Sequence, residues 1–442
     1  AILEVNQRSF RFSRIGTRFP EAEFPLSRFP VQEGIPNLQS EAKADNLARR
    51  LRPIVQRTSN QSSRIPSSVN LLGVYGVNAL EKLDVAELWR RIPKKGVLPY
   101  PIRIGMESYV QPLSINLAEN QDGPHGIIAG TTGSGKSELL QSLVAALALE
   151  HHPYYVNFLL IDFKGKSTFG IFEKLPHTVG MVSNLDKAGA QRALEAIRAE
   201  NLRRQQVLAK KGIEDVTEYY EEISRRGTLP PDWEPLPHLF IIVDEFAELI
   251  KDMPEFLKEL VATVRVGRSL GLHLILATQR PAGVVTDDMR ANLNFRISLR
   301  VQTMDDSRDM LRRPDAAFIP SHQPGRAYFQ IGDGGMARQF QCARVGVEYV
   351  PQEEGSASVE GDAKAKLIYL LESEQKTIIS EPQNEQSSDK KPTLLSELMI
   401  EQMCAYWQQL ERSGYQKPQQ ILLDPLPNPN EVVLRKRLLL PQ

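Results

Sequence analysis

Cysteine is scarce in this sequence, and neither sign of charge is in excess. Cys342 and Cys404 are the two cysteines in 442 residues. They lie far apart without metal-ligand spacing, which argues against a disulfide framework or a cysteine metal site and suits a reducing compartment. Lys plus Arg and Asp plus Glu number 54 each, so no overall basic field marks the chain for nucleic acid or an anionic membrane. No uninterrupted apolar stretch of about 18 residues reads as a membrane span, and no segment reads as a signal peptide. The expectation is a cytosolic chain. Internal repeats are also lacking, and the length suits one main domain with appendages.

What the sequence does have is residues 126–137, GIIAGTTGSGKS. A short apolar run breaks into glycines and re-enters as a helix, the pattern G-x-x-x-x-G-K-S from Gly130 to Ser137. Such a turn leaves several backbone N–H groups facing one concavity at the positive end of a helix dipole, which is a phosphate cradle. Glycines 130, 133 and 135 permit the positive φ and close approach that a Cβ would obstruct. Lys136 is placed to reach the β- and γ-phosphates, and the Ser137 hydroxyl to ligate Mg²⁺. The predicted nucleotide-binding set is Gly130, Thr131, Thr132, Gly133, Ser134, Gly135, Lys136, Ser137 and Glu138, with ATP and Mg²⁺ as ligands.

From residue 126 strands and helices alternate, as in a mostly parallel α/β sheet with helices on both faces. Candidate strands are 126–129, 157–163, 178–183, 239–244, 272–278 and 295–301, with long helices over 187–211 and 217–226. The strand 239–244 runs into paired acids. Asp244 is predicted to share Mg²⁺ with Ser137, and Glu245 to polarise the attacking water. Strand 272–278 ends in Thr278 and Gln279, where an amide beside the γ-phosphate can sense hydrolysis. An arginine supplied by a neighbouring subunit is expected to neutralise transition-state charge; Arg268 is the first candidate, with Arg265 and Arg296 behind it. His151 and His152 have no ligand partner at useful spacing and read as loop, not metal site. Asp162 to Lys166 either lines the nucleotide cleft or is solvated, and Asp305, Asp306 and Arg308 read as a helix start.

Around this core, residues 1–68 read as a small β-rich appendage followed by a helix over 40–51 and a polar linker over 57–68. Residues 69–350 form the predicted ATPase domain, entered by strands over 99–117 and closed by a β-hairpin after Gly325. Residues 351–392 are dominated by polar and charged types and read as a flexible linker. In 393–442 an apolar helical stripe (Leu394, Leu395, Leu398, Met399, Met403, Tyr406, Trp407 and Leu410) must be covered by something. The extended, proline-locked stretch 419–429 is expected to dock on the ATPase domain. The chain begins at Ala1 and ends in mid-pattern, as a piece of something longer would.

With these motifs in place the chain resembles the FtsK/SpoIIIE-type ATPases, and among them the EssC/EccC ATPases of type VII secretion systems. The resemblance rests on GPHGIIAGTTGSGKSELLQ (123–141), LLIDFKGK (159–166), PHLFIIVDEFAEL (237–249), VGRSLGLHLILATQRPAG (266–283) and RVQTMDDSRDMLRRPDAA (300–317). It implies a RecA-like P-loop fold and an ATP-hydrolysing motor, the first ATPase module of a longer protein held at the cytosolic face of a bacterial membrane. It further implies a homo-hexamer, other ATPase modules and membrane components as partners, and helical-hairpin substrates of the WXG100 type. Two alternatives share the nucleotide chemistry: a DNA translocase, disfavoured by the neutral charge and the absence of a winged-helix pattern, and a regulatory module that binds ATP with little turnover. The resemblance departs at Gly165-Lys166-Ser167-Thr168, where many relatives have a glycine-rich run.

Overall fold

The computed structural model describes residues 2–5, 10–13, 32–34, 64–91, 101–119, 121–163, 168–183, 187–230, 232–350 and 393–422. The chain divides into two units, Ala1–Ser62 and Ser63–Gln442. In the first, β1 (Ile2–Val5), β2 (Phe10–Ser13) and β3 (Gln32–Gly34) form an antiparallel sheet in that order. The helix expected over 40–51, the linker over 351–392 and residues 423–429 of the extended stretch lie outside the described residues.

The second unit is organised by apolar strands long enough to be buried on both faces. These are β6 (Gly126–Ala129), β7 (Val156–Asp162), β8 (Thr178–Ser183), β9 (His238–Asp244), β10 (Leu272–Thr278) and β11 (Phe295–Leu299). They pair in parallel in the order β11-β6-β10-β9-β7-β8. Four antiparallel strands extend the β11 side. The hairpin β12 (Arg326–Ile331) and β13 (Arg338–Cys342) follows β11. Beyond it sit β4 (Ile102–Ser108) and β5 (Gln111–Ile115), which precede β6 in sequence yet join the sheet at its far edge.

The period of two in each strand sends alternate residues to two separate cores. Ile128, Phe158, Leu160 and Ile242 face one, filled by α3 (Lys136–Glu150); Ile127, Leu159, Ile161 and Ile241 face the other. That second core is filled by α4 (Lys187–Lys211), α5 (Val216–Arg226) and α7 (Pro254–Val266), the last following the short α6 (Phe246–Asp252). Helix α8 (Asp287–Asn292) precedes β11, and α9 (Met304–Leu311) follows it. Thr303 and Asp306 close a reciprocal capping box at the start of α9, the helix-start role read for that acidic cluster. Before β4, α1 (Leu71–Val74) and α2 (Val85–Trp89) add to the first core.

The apolar stripe near the C-terminus is covered by this same unit. Helix α10 (Leu395–Arg412) buries Leu395, Met399, Ile400, Met403 and Trp407 against the α3 side of the sheet. His151 and His152, read as loop, do connect α3 to β7 but are buried, and Trp407 of α10 closes over His152. The His152 ring meets Trp407 at 5.7 Å and Trp89 at 5.6 Å, both edge-on. Burial pushes both imidazoles down to about 4. The chain then crosses to the sheet edge: Gln416 N–H donates to Tyr154 Oη at 2.8 Å, and Ile421 N–H to the Val179 carbonyl of β8 at 2.9 Å. Residues 421 and 422 thus lie on the domain as expected of this stretch.

Candidate nucleotide-binding site

The phosphate loop is stitched between two neighbouring strand ends. Gly130 N–H donates to the Thr278 carbonyl at the end of β10 (3.1 Å), and Thr131 N–H to the Arg300 carbonyl just past β11 (2.9 Å). Ser134 N–H closes back on the Thr131 carbonyl, and the Ser134 carbonyl accepts Gly325 N–H at 2.7 Å. At the tip, Gly133 and Gly135 hold φ of +77° and +97°. A Cβ on Gly135 would lie 2.7 Å from Gly325 N, so that position needs glycine on two grounds. Helix α3 makes its first intrahelical bond from Leu139 N–H to the Gly135 carbonyl. The N–H groups of Lys136, Ser137 and Glu138 therefore point out of the helix end, toward an anion. The Ser134 hydroxyl is buried and has no hydrogen-bond partner, a spare donor in the wall of the cradle.

Three strand ends bring the acids to this loop. Lys136, 6 % exposed, donates to Asp244 Oδ1 at the end of β9, and its ammonium lies 3.8 Å from Glu245 Oε2. Glu245 follows Asp244 with φ +58°, left-handed backbone that a non-glycine residue adopts at a cost of about 1–3 kcal/mol. The surrounding bonds hold it there. Its Oε1 accepts Gln279 N–H at 3.3 Å and Thr278 Oγ1 at 3.5 Å, so the carboxylate bridges the ends of β9 and β10. The Thr132 hydroxyl donates to Gln279 Oε1 at 3.0 Å, joining the phosphate loop to the amide read as its sensor.

Lys136, Asp244, Glu245, Gln279 and the 130–137 loop thus converge. Ser137 is exposed in the first turn of α3. Glu138 turns its carboxylate away to accept Gly346 N–H at 3.2 Å, leaving only its backbone for an anion. A hydroxyl and a carboxylate are hard oxygen donors of the kind Mg²⁺ takes alongside phosphate oxygens, and Lys136 already pairs with that carboxylate as a cation. The residues present fit the metal.

Arg268 stands elsewhere. It opens the turn Arg268–Leu270 before β10, so about seven residues of strand at about 3.3 Å each separate it from Gln279. There it pairs with Glu119 at 2.7 Å, both groups half exposed. Arg265 is exposed on α7, and Arg296 is buried in an ion pair with Asp333. None of the three reaches the site of its own chain.

Two groups outside the predicted set also belong here, one of them in the stretch 162–166 for which lining the cleft was one of two readings. Asp162 ends β7 directly beside Asp244 in the parallel register. Thr168 joins the two: its N–H donates to Asp162 Oδ2 and its hydroxyl to Asp244 Oδ2, each at 3.0 Å. Asp162 was legible as an acid at a strand end. Thr168 carried no signal, because only the folded return of residues 168–172 under α3 brings it back.

Several known proteins resemble this chain in sequence and fold. The FtsK/SpoIIIE family model matches residues 86–283. The type VII secretion system protein EssC of Staphylococcus aureus (strain Mu50) is 42% identical over 342 residues, which cover 77% of this chain and 22% of that protein. The ESX secretion system protein EccC of Geobacillus thermodenitrificans is 37% identical over 385 residues, 87% of this chain and 25% of that protein. Among solved structures, the cytoplasmic domain of the Thermomonospora curvata type VII secretion ATPase EccC superposes with a TM-score of 0.62 at 30% identity, covering 81% of this chain and 36% of that one. The chain spans about a quarter of the length of the curated relatives it matches.

Proposed function

Residues 86–283 belong to the FtsK/SpoIIIE family, and from that premise we propose that this chain is an ATP-binding and ATP-hydrolysing motor module of a type VII protein secretion ATPase. The observation that carries the proposal is the meeting of Lys136, Asp244 and Glu245 at the mouth of the phosphate loop.

When ATP enters, Lys136 leaves Asp244 for the β- and γ-phosphates, where its ammonium and the backbone N–H groups of the loop hold the triphosphate. Asp244, relieved of its ion pair, and Ser137 would hold Mg²⁺, which would supply positive charge to the transferred phosphoryl group. Glu245 accepts a proton from, or polarises, a water in line with the γ-phosphate, and its bonds to Gln279 N–H and Thr278 fix the direction of its carboxylate. Loss of the γ-phosphate is felt by Gln279 through Thr132. Arg268 completes the site only from a neighbouring subunit, since its own site lies at the other end of β10. In this reading the partners are further copies in a homo-hexamer, other ATPase modules, membrane components and small secreted proteins of the WXG100 type, and the module works at the cytosolic face of a bacterial membrane. Among the described residues no helix is long and apolar enough to cross a membrane.

Steady-state hydrolysis against protein concentration tests the proposal. Glu245→Gln is expected to keep ATP binding and lose at least about 100-fold in kcat, the ordinary contribution of a general base. Arg268→Ala is expected to remove the rise of rate per subunit with concentration. A wild-type chain that binds no ATP would overturn the proposal. ATP binding without turnover at any concentration would leave a regulatory nucleotide-binding module in its place.

A further inference from the structure

All three polar groups of Thr168 are committed to the nucleotide site, each on a different element. Its N–H donates to Asp162 Oδ2 at the end of β7 (3.0 Å), and its carbonyl accepts Gln141 Nε2 from α3 (2.8 Å). Its hydroxyl donates to Asp244 Oδ2 at the end of β9 (3.0 Å). Two backbone bonds therefore lock the residue in place, and the hydroxyl is left with one task. Asp244 takes Lys136 on Oδ1 and Thr168 on Oδ2, so the two donors between them fix the plane of the carboxylate. Lys136 must leave when phosphate arrives. Thr168 then remains as the donor that keeps Oδ1 turned toward the phosphate loop.

We propose that Thr168 is a positioning residue for magnesium: its hydroxyl, clamped between Asp162 and Gln141, holds the Asp244 carboxylate in the orientation that receives the metal of the Mg·ATP complex. The assignment rests on the nucleotide-site reading above and adds to it a residue outside both the phosphate loop and the acidic strand end. Groups that orient a metal-holding side chain contribute about 10- to 100-fold to metal affinity.

The test uses the full chain with a fluorescent ATP analogue, comparing the parent with Thr168→Val, which keeps the shape and backbone bonds but removes the hydroxyl, and Thr168→Ser, which restores it. The readout is the ratio of analogue affinity with excess Mg²⁺ to that in EDTA, together with the Mg²⁺ concentration giving half-maximal enhancement. The expected result for Thr168→Val is a ratio reduced by about tenfold or more and a midpoint raised to match, with Thr168→Ser near the parent. A merely structural role would weaken binding alike with and without Mg²⁺ and leave the ratio unmoved, which overturns the assignment. An unchanged midpoint in Thr168→Val overturns it too. A parent chain that binds no nucleotide would instead remove the reading on which the assignment stands.

Discussion

Trp407→Ala is expected to release α10 from the domain while the sheet beneath stays folded. Trp407 is 4 % exposed, edge-on to His152, with Nε1 donating to Glu411 at 2.8 Å. Its ring closes the last of the turns that bury Met399, Ile400 and Met403. Truncating a buried tryptophan costs about 3–5 kcal/mol where the site cannot collapse around the gap, and here Trp89, Tyr154 and His152 are held from below by α2 and the α3–β7 connection. The helix lies outside the sheet, so the loss falls on its local opening. At about 1.4 kcal/mol per factor of ten, opening of α10 should rise by about two to nearly four orders of magnitude. Native-state hydrogen exchange read by mass spectrometry compares peptides from 395–412 with peptides from 136–150. Unchanged protection in 395–412 would refute the anchoring role of Trp407, and equal loss in 136–150 would refute the view that α10 opens by itself.

Acid should destabilise the domain through its buried imidazoles. Burial pushes His125, His151 and His152 down to about 4 and His177 and His238 to about 3. Their contribution is intact above the unfolded value near 6.5 and is lost as pH falls from there toward the folded values, since only the unfolded chain takes up protons in that window. By pH 5 the loss is about 2 kcal/mol per imidazole, and urea midpoints measured from pH 7.5 to 5 should fall steadily; a flat profile would contradict it. Gly135→Ala places a methyl group 2.7 Å from Gly325 N at φ +97°, so the loop must move and nucleotide affinity should drop at least about tenfold. Isothermal titration with a non-hydrolysable ATP analogue checks this, and a parent-like affinity would show that the loop tolerates the shift.

The six parallel strands were legible to within one or two residues, because each is a continuous apolar run ended by a turn. The structure shifts 157–163 by one residue to Val156–Asp162 and trims 295–301 to Phe295–Leu299. Their lateral order was not legible. Nothing local to residues 102–108 says that they pair with β13 more than two hundred residues later, since such pairing is decided by which edges are left once the parallel strands have assembled. At the site, the meeting of motif residues such as Lys136, Asp244 and Gln279 with the phosphate loop could be expected from type and spacing. Thr168 could not, nor the left-handed turn at Glu245, because both depend on three strand ends meeting in space. The burial of His152 was not legible because its aromatic cover lies on α10, about 250 residues away in sequence.

The bond between the Ser134 carbonyl and Gly325 N–H has a consequence for how the chain is made. Strand β6 sits between β10 and β11, both encoded well downstream, and its loop is closed by a residue nearly two hundred positions further on. At a synthesis rate of about 5–20 residues per second, the finished glycine loop and its apolar strand wait roughly 10–40 s on the ribosome before the last of their neighbours emerges. Until β10 and β11 have been made, GIIA has neither of the strands that flank it, although α2 and β4 are already there to meet α3. The nascent chain therefore carries an unpaired apolar strand until those downstream strands arrive, and a chaperone that shields residues 126–129 in that interval is expected to raise the yield of folded protein.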